Sequence, residues 1–164
     1  IKRREKMRLY FAYGANLNVE NMEYRCPNAR PICTMNLPNW RLVFRNVADI
    51  EPAKNHSVSG LLWNITEHCE EQLDIFEGFP HLYRKEYFYI KLSGKMREDF
   101  GETAEVMFYA MNRKGYQEPA LPYFDCIKEG YEQNGMGLKP MKEALEHSWK
   151  NATKMFKWTS KQWG

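Results

Sequence analysis

The stretch Tyr10-Phe-Ala-Tyr-Gly-Ala-Asn-Leu17 constrains the fold more than any other part of the chain. An unbroken apolar and aromatic run over residues 9–13 has the character of a buried strand. It stops at Gly14, a residue able to take backbone angles closed to others. Asn18 then precedes Val19-Glu-Asn-Met-Glu-Tyr-Arg25, a helix-like segment that ends before Pro27. Strand, glycine turn and helix in succession leave backbone N–H groups pointing one way, and such a nest suits a carboxylate or a phosphate. Many turns of this kind only reverse the chain, so the pattern by itself leaves both readings open.

The rest of the sequence supplies what such a strand needs around it. A chain of 164 residues with 43% hydrophobic and 15% aromatic residues carries enough apolar surface for one folded core. Its formal net charge of +3 arises from mixed signs and does not call for a nucleic-acid partner. No apolar stretch reaches the roughly 18–20 residues of a membrane span. The charged residues at the start lead straight into the strand without a signal-peptide core, so a cytoplasmic protein is expected. Cys26, Cys33, Cys69 and Cys126 lack C-x-x-C spacing and are expected as reduced thiols. His56, His68, His81 and His147 are scattered, and no metal site is expected.

Periodicity divides the chain further. Trp40-Arg-Leu-Val-Phe44 alternates as a strand, residues 47–56 are polar around Pro52 and read as a loop, and residues 58–65 form a central strand. Thr66 caps a short helix with Glu67, Glu70 and Glu71 in its early turns, Leu73 and Phe76 on one face, and a stop at Gly78 and Pro80. Residues 83–92 and 103–111 read as strands joined by a polar loop over 93–102. Pro122 opens a helix over 123–133 that Asn134-Gly135 terminates. These elements predict an α+β domain: five or six strands in a small curled mixed β-barrel or strongly curled sheet, with flanking helices, over residues 7–137.

Residues 138–164 form a C-terminal extension, an amphipathic helix starting at Pro140. Met141, Leu145, Ser148, Ala152, Met155, Phe156, Thr159 and Trp163 recur at three and four, with Lys142, Glu146, Lys150, Lys154, Lys157 and Lys161 largely elsewhere. Lysines mixed with Trp149, Phe156, Trp158 and Trp163 also suit nucleic acid. Because the aromatics follow or flank the apolar stripe, docking on the domain or on a second subunit of a homodimer is the favoured reading.

A second chemical element lies in Gln72-Leu-Asp-Ile-Phe-Glu-Gly-Phe-Pro80. Glu77 closes a helix, where the dipole disfavours a carboxylate, and it stands among Phe76, Gly78 and Phe79. Loss of hydration raises the pKa of such a group and makes it a base suited to neutral pH.

Together, Tyr10-Phe-Ala-Tyr-Gly-Ala-Asn-Leu17 and Leu73-Asp-Ile-Phe-Glu-Gly78 resemble the γ-glutamylcyclotransferase family. Val58-Ser-Gly-Leu-Leu-Trp63, Tyr83-Arg-Lys-Glu86 and Phe108-Tyr-Ala-Met111 extend the resemblance over about residues 8–135. The family motif usually reads Tyr-Gly-Ser-Asn, and Ala15 takes the serine place here. The resemblance implies that Tyr10, Phe11, Ala12, Tyr13, Gly14, Ala15 and Asn16 hold a γ-glutamyl group and that Glu77 is the acid/base. A further substrate tyrosine falls on Tyr123, with Tyr109 and Tyr116 as rivals.

The implied reaction is intramolecular. The α-amine of the γ-glutamyl group attacks its own γ-carbonyl, closing 5-oxoproline and expelling the attached amine. Tethered reactants gain effective molarity from a folded pose, and one carboxylate can take the proton from the α-amine and return it to the leaving amine. No cofactor or metal is needed. N–H groups near Gly14 and Ala15 are expected to hold either the α-carboxylate or the developing oxyanion. Two alternatives stand beside this reading: a non-catalytic metabolite-binding or protein-interaction module on the same fold, and action on a γ-glutamylamine or an unusual γ-glutamyl conjugate rather than a dipeptide or glutathione.

Overall fold

The computed structural model describes residues 8–163, with side chains described to residue 152. Five strands, β1 (Arg8–Ala12), β2 (Arg30–Arg45), β3 (Val47–Ile65), β4 (Tyr83–Lys91) and β5 (Thr103–Met111), form one sheet in the order β2-β3-β1-β5-β4. The helices are α1 (Val19–Arg25), α2 (Glu67–Glu77), α3 (Gly94–Phe100), α4 (Leu121–Gln133) and α5 (Lys139–Trp163). A 3₁₀ turn over Ala15–Leu17 joins β1 to α1. Strand β1 is central, antiparallel to β3 and parallel to β5. Residues 9–12 of this strand are buried and leave no room for charged side chains, which accounts for the unbroken apolar run after Arg8.

Cross-strand partners share a face, so the registers of β1, β4 and β5 separate two apolar layers. Phe11, Phe88 and Phe108 lie on one face, and the Trp40 ring of β2 meets Phe108 at 5.2 Å, edge to face. The sheet therefore curls until its first-ordered strand touches its far side. Among the described residues no ladder joins β2 to β4, so the sheet is strongly curled but open, and the closed barrel is corrected to that extent. Aromatic packing of Trp40 in the edge strand β2 on Phe108 of β5 holds the curl where no ladder forms. The other face carries Tyr10, Tyr83, Met107 and Tyr109, covered by α1, α2 and the 3₁₀ turn.

Three expectations about the elements change. Residues 47–56 are strand rather than loop: β2 and β3 form one long hairpin, in which Trp40 pairs with Pro52. A register shift between Pro38 and Trp40, with Asn39 at φ 64°, absorbs the prolines, which cannot donate to a ladder. Strand β2 likewise begins well before Trp40. The polar connection over 93–102 contains the short helix α3.

Cys26 and Cys69 are not thiols but a disulfide, formed because the C-terminus of α1 packs on the start of α2 with Cα atoms 5.2 Å apart. Cys33 and Cys126 are free.

The first half of α5 docks where its stripe predicts. Met141 and Ala144 join the core, Ser148 is fully buried, and Lys142, Glu146 and Lys150 face solvent. The side chains of Lys154, Met155, Phe156, Lys157, Trp158, Thr159, Lys161 and Trp163 lie outside the described residues. Among the described residues no helix is long and apolar enough to cross a membrane.

Candidate active site

The two motifs meet at one cavity of about 270 Å³. Tyr10, Tyr13, Gly14, Ala15 and Asn16 line it from β1 and the turn, Phe76 and Glu77 from the end of α2, and Tyr123 from the start of α4. Local sequence dictates this placement. Asn18 caps α1 by accepting from Asn21 N at 3.4 Å, and Thr66 caps α2 by accepting from Cys69 N at 3.1 Å. At the other end of α2, Gly78 takes the left-handed cap at φ 67° and halts the helix directly after Glu77. The turn begins a helical segment, so the N–H groups of Ala15 and Asn16 face no carbonyl within it.

Gly14 itself is not left-handed, with φ −122°. What asks for glycine is crowding: a Cβ there lies 3.1 Å from the Ala48 Cβ and 3.6 Å from the Tyr123 hydroxyl. Phe11 and Ala12 do not line the cavity. Alternation along β1 turns Phe11 to the opposite face, where its ring meets Phe88, and Ala12 is buried in the core. Of the motif residues, those that line the cavity are thus Tyr10 and residues 13–16.

Glu77 is partly buried at the cavity wall, and the loss of water around its carboxyl pushes it up to about 7, against a smaller downward pull from the Arg25 guanidinium. The phenols facing it, Tyr10, Tyr13, Tyr83, Tyr109 and Tyr123, are all driven well above the usual tyrosine range, chiefly by burial. They stay neutral at physiological pH. The site pairs one titrating carboxyl with a wall of neutral hydroxyls.

Those hydroxyls are held in place. Tyr10 Oη accepts from Asn16 Nδ2 at 3.0 Å, and Tyr13 Oη donates to the Tyr109 carbonyl. Tyr123 Oη accepts from Ala48 N at 2.9 Å, while Tyr83 Oη donates to the Ala48 carbonyl at 3.3 Å. Of the rival tyrosines, Tyr109 lines the cavity but donates to Asp74 Oδ1 at 2.6 Å. Tyr116 lies elsewhere, donating to Glu51 Oε1 at 2.7 Å. Asp49, buried, accepts from Met111 N at 2.9 Å and Arg45 Nε at 2.8 Å, fixing the hairpin end that presents Ala48. Sequence reasoning missed Ala48 because its segment looked like a loop.

It also missed Arg25, Tyr83 and Arg113. Arg113 stands exposed at the cavity wall, with no ion pair among the described residues. Arg25 donates to Asn16 Oδ1, and its guanidinium carbon lies 3.4 Å above the Phe76 ring centre. Among the described residues no three of His, Cys, Asp and Glu are grouped to hold a metal ion.

A small cavity that sets a carboxyl titrating near neutrality against a backbone turn, on a curled mixed sheet, has the make-up of a site for acid–base chemistry on a small substrate. The chain belongs to the family described as gamma-glutamyl cyclotransferase, AIG2-like, whose pattern matches residues 10–130. It is 27% identical over 147 residues to the gamma-glutamylcyclotransferase of Homo sapiens, covering 82% of this chain and 76% of that one. To the Mus musculus protein of the same name it is 27% identical over 140 residues, covering 78% and 72%. A solved structure called gamma-glutamyl cyclotransferase superposes with a TM-score of 0.70 at 23% identity, covering 85% of this chain and 86% of that one, and so shares the fold.

Proposed function

We propose that this chain releases 5-oxoproline and a free amine or amino acid from a γ-glutamyl compound by intramolecular cyclisation. The observation that carries the reading is Glu77: a carboxyl lifted to about 7 in the wall of the cavity that also contains the 13–16 turn. At that pKa the group can accept a proton from the substrate's α-amine and give it back to the leaving amine near neutral pH. The Ala15 and Asn16 N–H groups serve the substrate's carboxylate or the oxyanion, a task that needs backbone and not the hydroxyl Ala15 lacks. Tyr123 and Tyr10 hold the substrate's polar edge as neutral partners. A cavity of about 270 Å³ lies below the roughly 300–1,000 Å³ of pockets for drug-sized ligands and suits a small metabolite. Arg113, at its wall, suits a second carboxylate on the leaving group, which favours γ-glutamyl amino acids or peptides over γ-glutamylamines.

The test is a panel of γ-glutamyl dipeptides, γ-glutamylamines and glutathione, with 5-oxoproline read by mass spectrometry for wild type and Glu77→Gln. Wild type is expected to turn over at least one class, and the variant to lose at least about 10³-fold in kcat with its fold intact. Near-wild-type release by Glu77→Gln on every accepted substrate would falsify the assignment. The missing hydroxyl at Ala15 favours one second reading, a binding module, for which calorimetry would give heats of binding without any 5-oxoproline.

A further inference from the structure

We infer that Arg25 is the positioning residue of this site: it ties the 13–16 turn to the end of α2, so that the gripping and proton-moving halves keep one geometry. The inference rests on the acid–base reading of Glu77. Arg25 is the last residue of α1, where the helix dipole favours a cation. From there it reaches both motifs at once. One guanidinium nitrogen donates to the Asn16 side chain, whose amide in turn donates to Tyr10 Oη at 3.0 Å. The guanidinium plane covers the ring of Phe76, the residue directly before Glu77. The Asn16 carbonyl is fixed separately by Trp63 Nε1 at 3.2 Å, so the turn itself is rigid and Arg25 transmits its position to α2.

The bridge has a reason in energetics. Phe76 is half exposed at the helix end, where a bare aromatic ring is free to swing. A stacked guanidinium over such a ring contributes about 0.5–2 kcal/mol, and a planar five-donor fork makes that contact and the Asn16 bond together. A lysine can make one or the other. The charge has a second use. The groups facing Glu77 from β1, β4, β5 and α4 are the phenols of Tyr10, Tyr83, Tyr109 and Tyr123, with Tyr13 from the start of the turn. Arg25, from α1, is the charged side chain whose attraction acts on Glu77 among the described residues. Arg45, also at the cavity wall, is occupied by Asp49 and Glu51, and Arg113 is exposed to solvent. Arg25 therefore holds the carboxyl low enough to release its proton near neutrality while aligning it.

The experiment compares Arg25→Met and Arg25→Lys with wild type. The Glu77 titration is followed by NMR on protein labelled with ¹³C-carboxyl glutamate, the resonance being identified by its absence in Glu77→Gln. Steady-state pH profiles are recorded alongside. For Arg25→Met the NMR midpoint should rise by about one pH unit, with the rising limb of kcat/KM moving with it and kcat falling about 10–100-fold. Arg25→Lys should restore the midpoint while kcat stays depressed, because charge returns without the double contact. An unmoved midpoint in folded Arg25→Met, or full kcat in Arg25→Lys, overturns the inference. Should Arg25→Met fail to fold, the Arg25→Lys split between midpoint and kcat still decides. Failure of the acid–base reading is separate: it appears as retained turnover in Glu77→Gln, which leaves the NMR midpoint to judge the bridge.

Discussion

At the scale of single residues, the site depends on one carboxyl being kept in an unfavourable place. Glu77 combines burial with a helix C-terminus, and both disfavour its charge. The consequence for stability has a definite sign. The folded protein holds the Glu77 proton up to about 7, whereas the unfolded chain releases it near the model-peptide value of about 4.3. Glu77 is thus least costly below the unfolded value, and stability falls as pH rises from there through about 7. Glu77→Gln removes the charge and keeps the shape. It should therefore be more stable than wild type above pH 8, by about 1–3 kcal/mol, with the difference vanishing near pH 4. Urea titrations of the two proteins at several pH values check this, and equal stability at pH 8 would sink the claim that Glu77 is desolvated. The carboxyl proposed to carry the proton is thus one that costs stability.

At the scale of elements, the cavity depends on how closely α4 approaches the turn. Gly130 of α4 is buried, and a Cβ there would come within 2.8 Å of the Leu17 Cβ and 2.9 Å of Asn18 N. Backbone cannot yield as a flexible side chain does. Gly130→Ala should push α4 outward, lower stability by about 1–3 kcal/mol and weaken the Tyr123–Ala48 hydrogen bond. On the proposed role of Tyr123 in holding the substrate, KM for the accepted substrate should rise several-fold more than kcat falls. Kinetics on the purified variant, with Tm as control, would settle it; unchanged KM and Tm would show that the helix has slack. The long β2–β3 hairpin acts from the other side. Its buried Asp49 fixes the strand start that presents Ala48 to both Tyr123 and Tyr83.

At the scale of the whole molecule, two covers hold the curled sheet. One is the first half of α5, which adds Met141 and Ala144 to the core that the rest of the chain builds. The other is the α1–α2 pair, cross-linked through Cys26 and Cys69 across a sequence separation of 43. A loop of that length makes the bond worth about 3–4 kcal/mol through the unfolded chain. Reductant should lower the Tm of wild type by several degrees and leave a Cys26→Ser/Cys69→Ser double variant unmoved. Four titratable thiols in protein prepared without reductant would contradict the cross-link. Since Arg25 adjoins Cys26, loss of the bond should also loosen the Arg25 contacts and depress kcat.

Much of this was legible in the chain. The central strand showed itself as an apolar run, the caps Asn18 and Thr66 and the stop at Gly78 followed local backbone chemistry, and Glu77 stood out because a carboxylate is misplaced at a helix C-terminus. These are short-range effects, settled within a turn or a strand. Long-range partners left no such mark. The polar segment 47–56 becomes strand only because residues 40–45 pair with its first half, Cys26 finds Cys69 only when two helices pack, and Phe11 turns away from the cavity only once the sheet has two faces. Sequence alone determined that Gly14 breaks the apolar run and that Glu77 closes a helix between Phe76 and Gly78, because local backbone preference decides such boundaries. Tertiary structure decided that Arg25 joins the two segments, because a guanidinium spanning Asn16 and Phe76 exists only when α1 and α2 lie side by side.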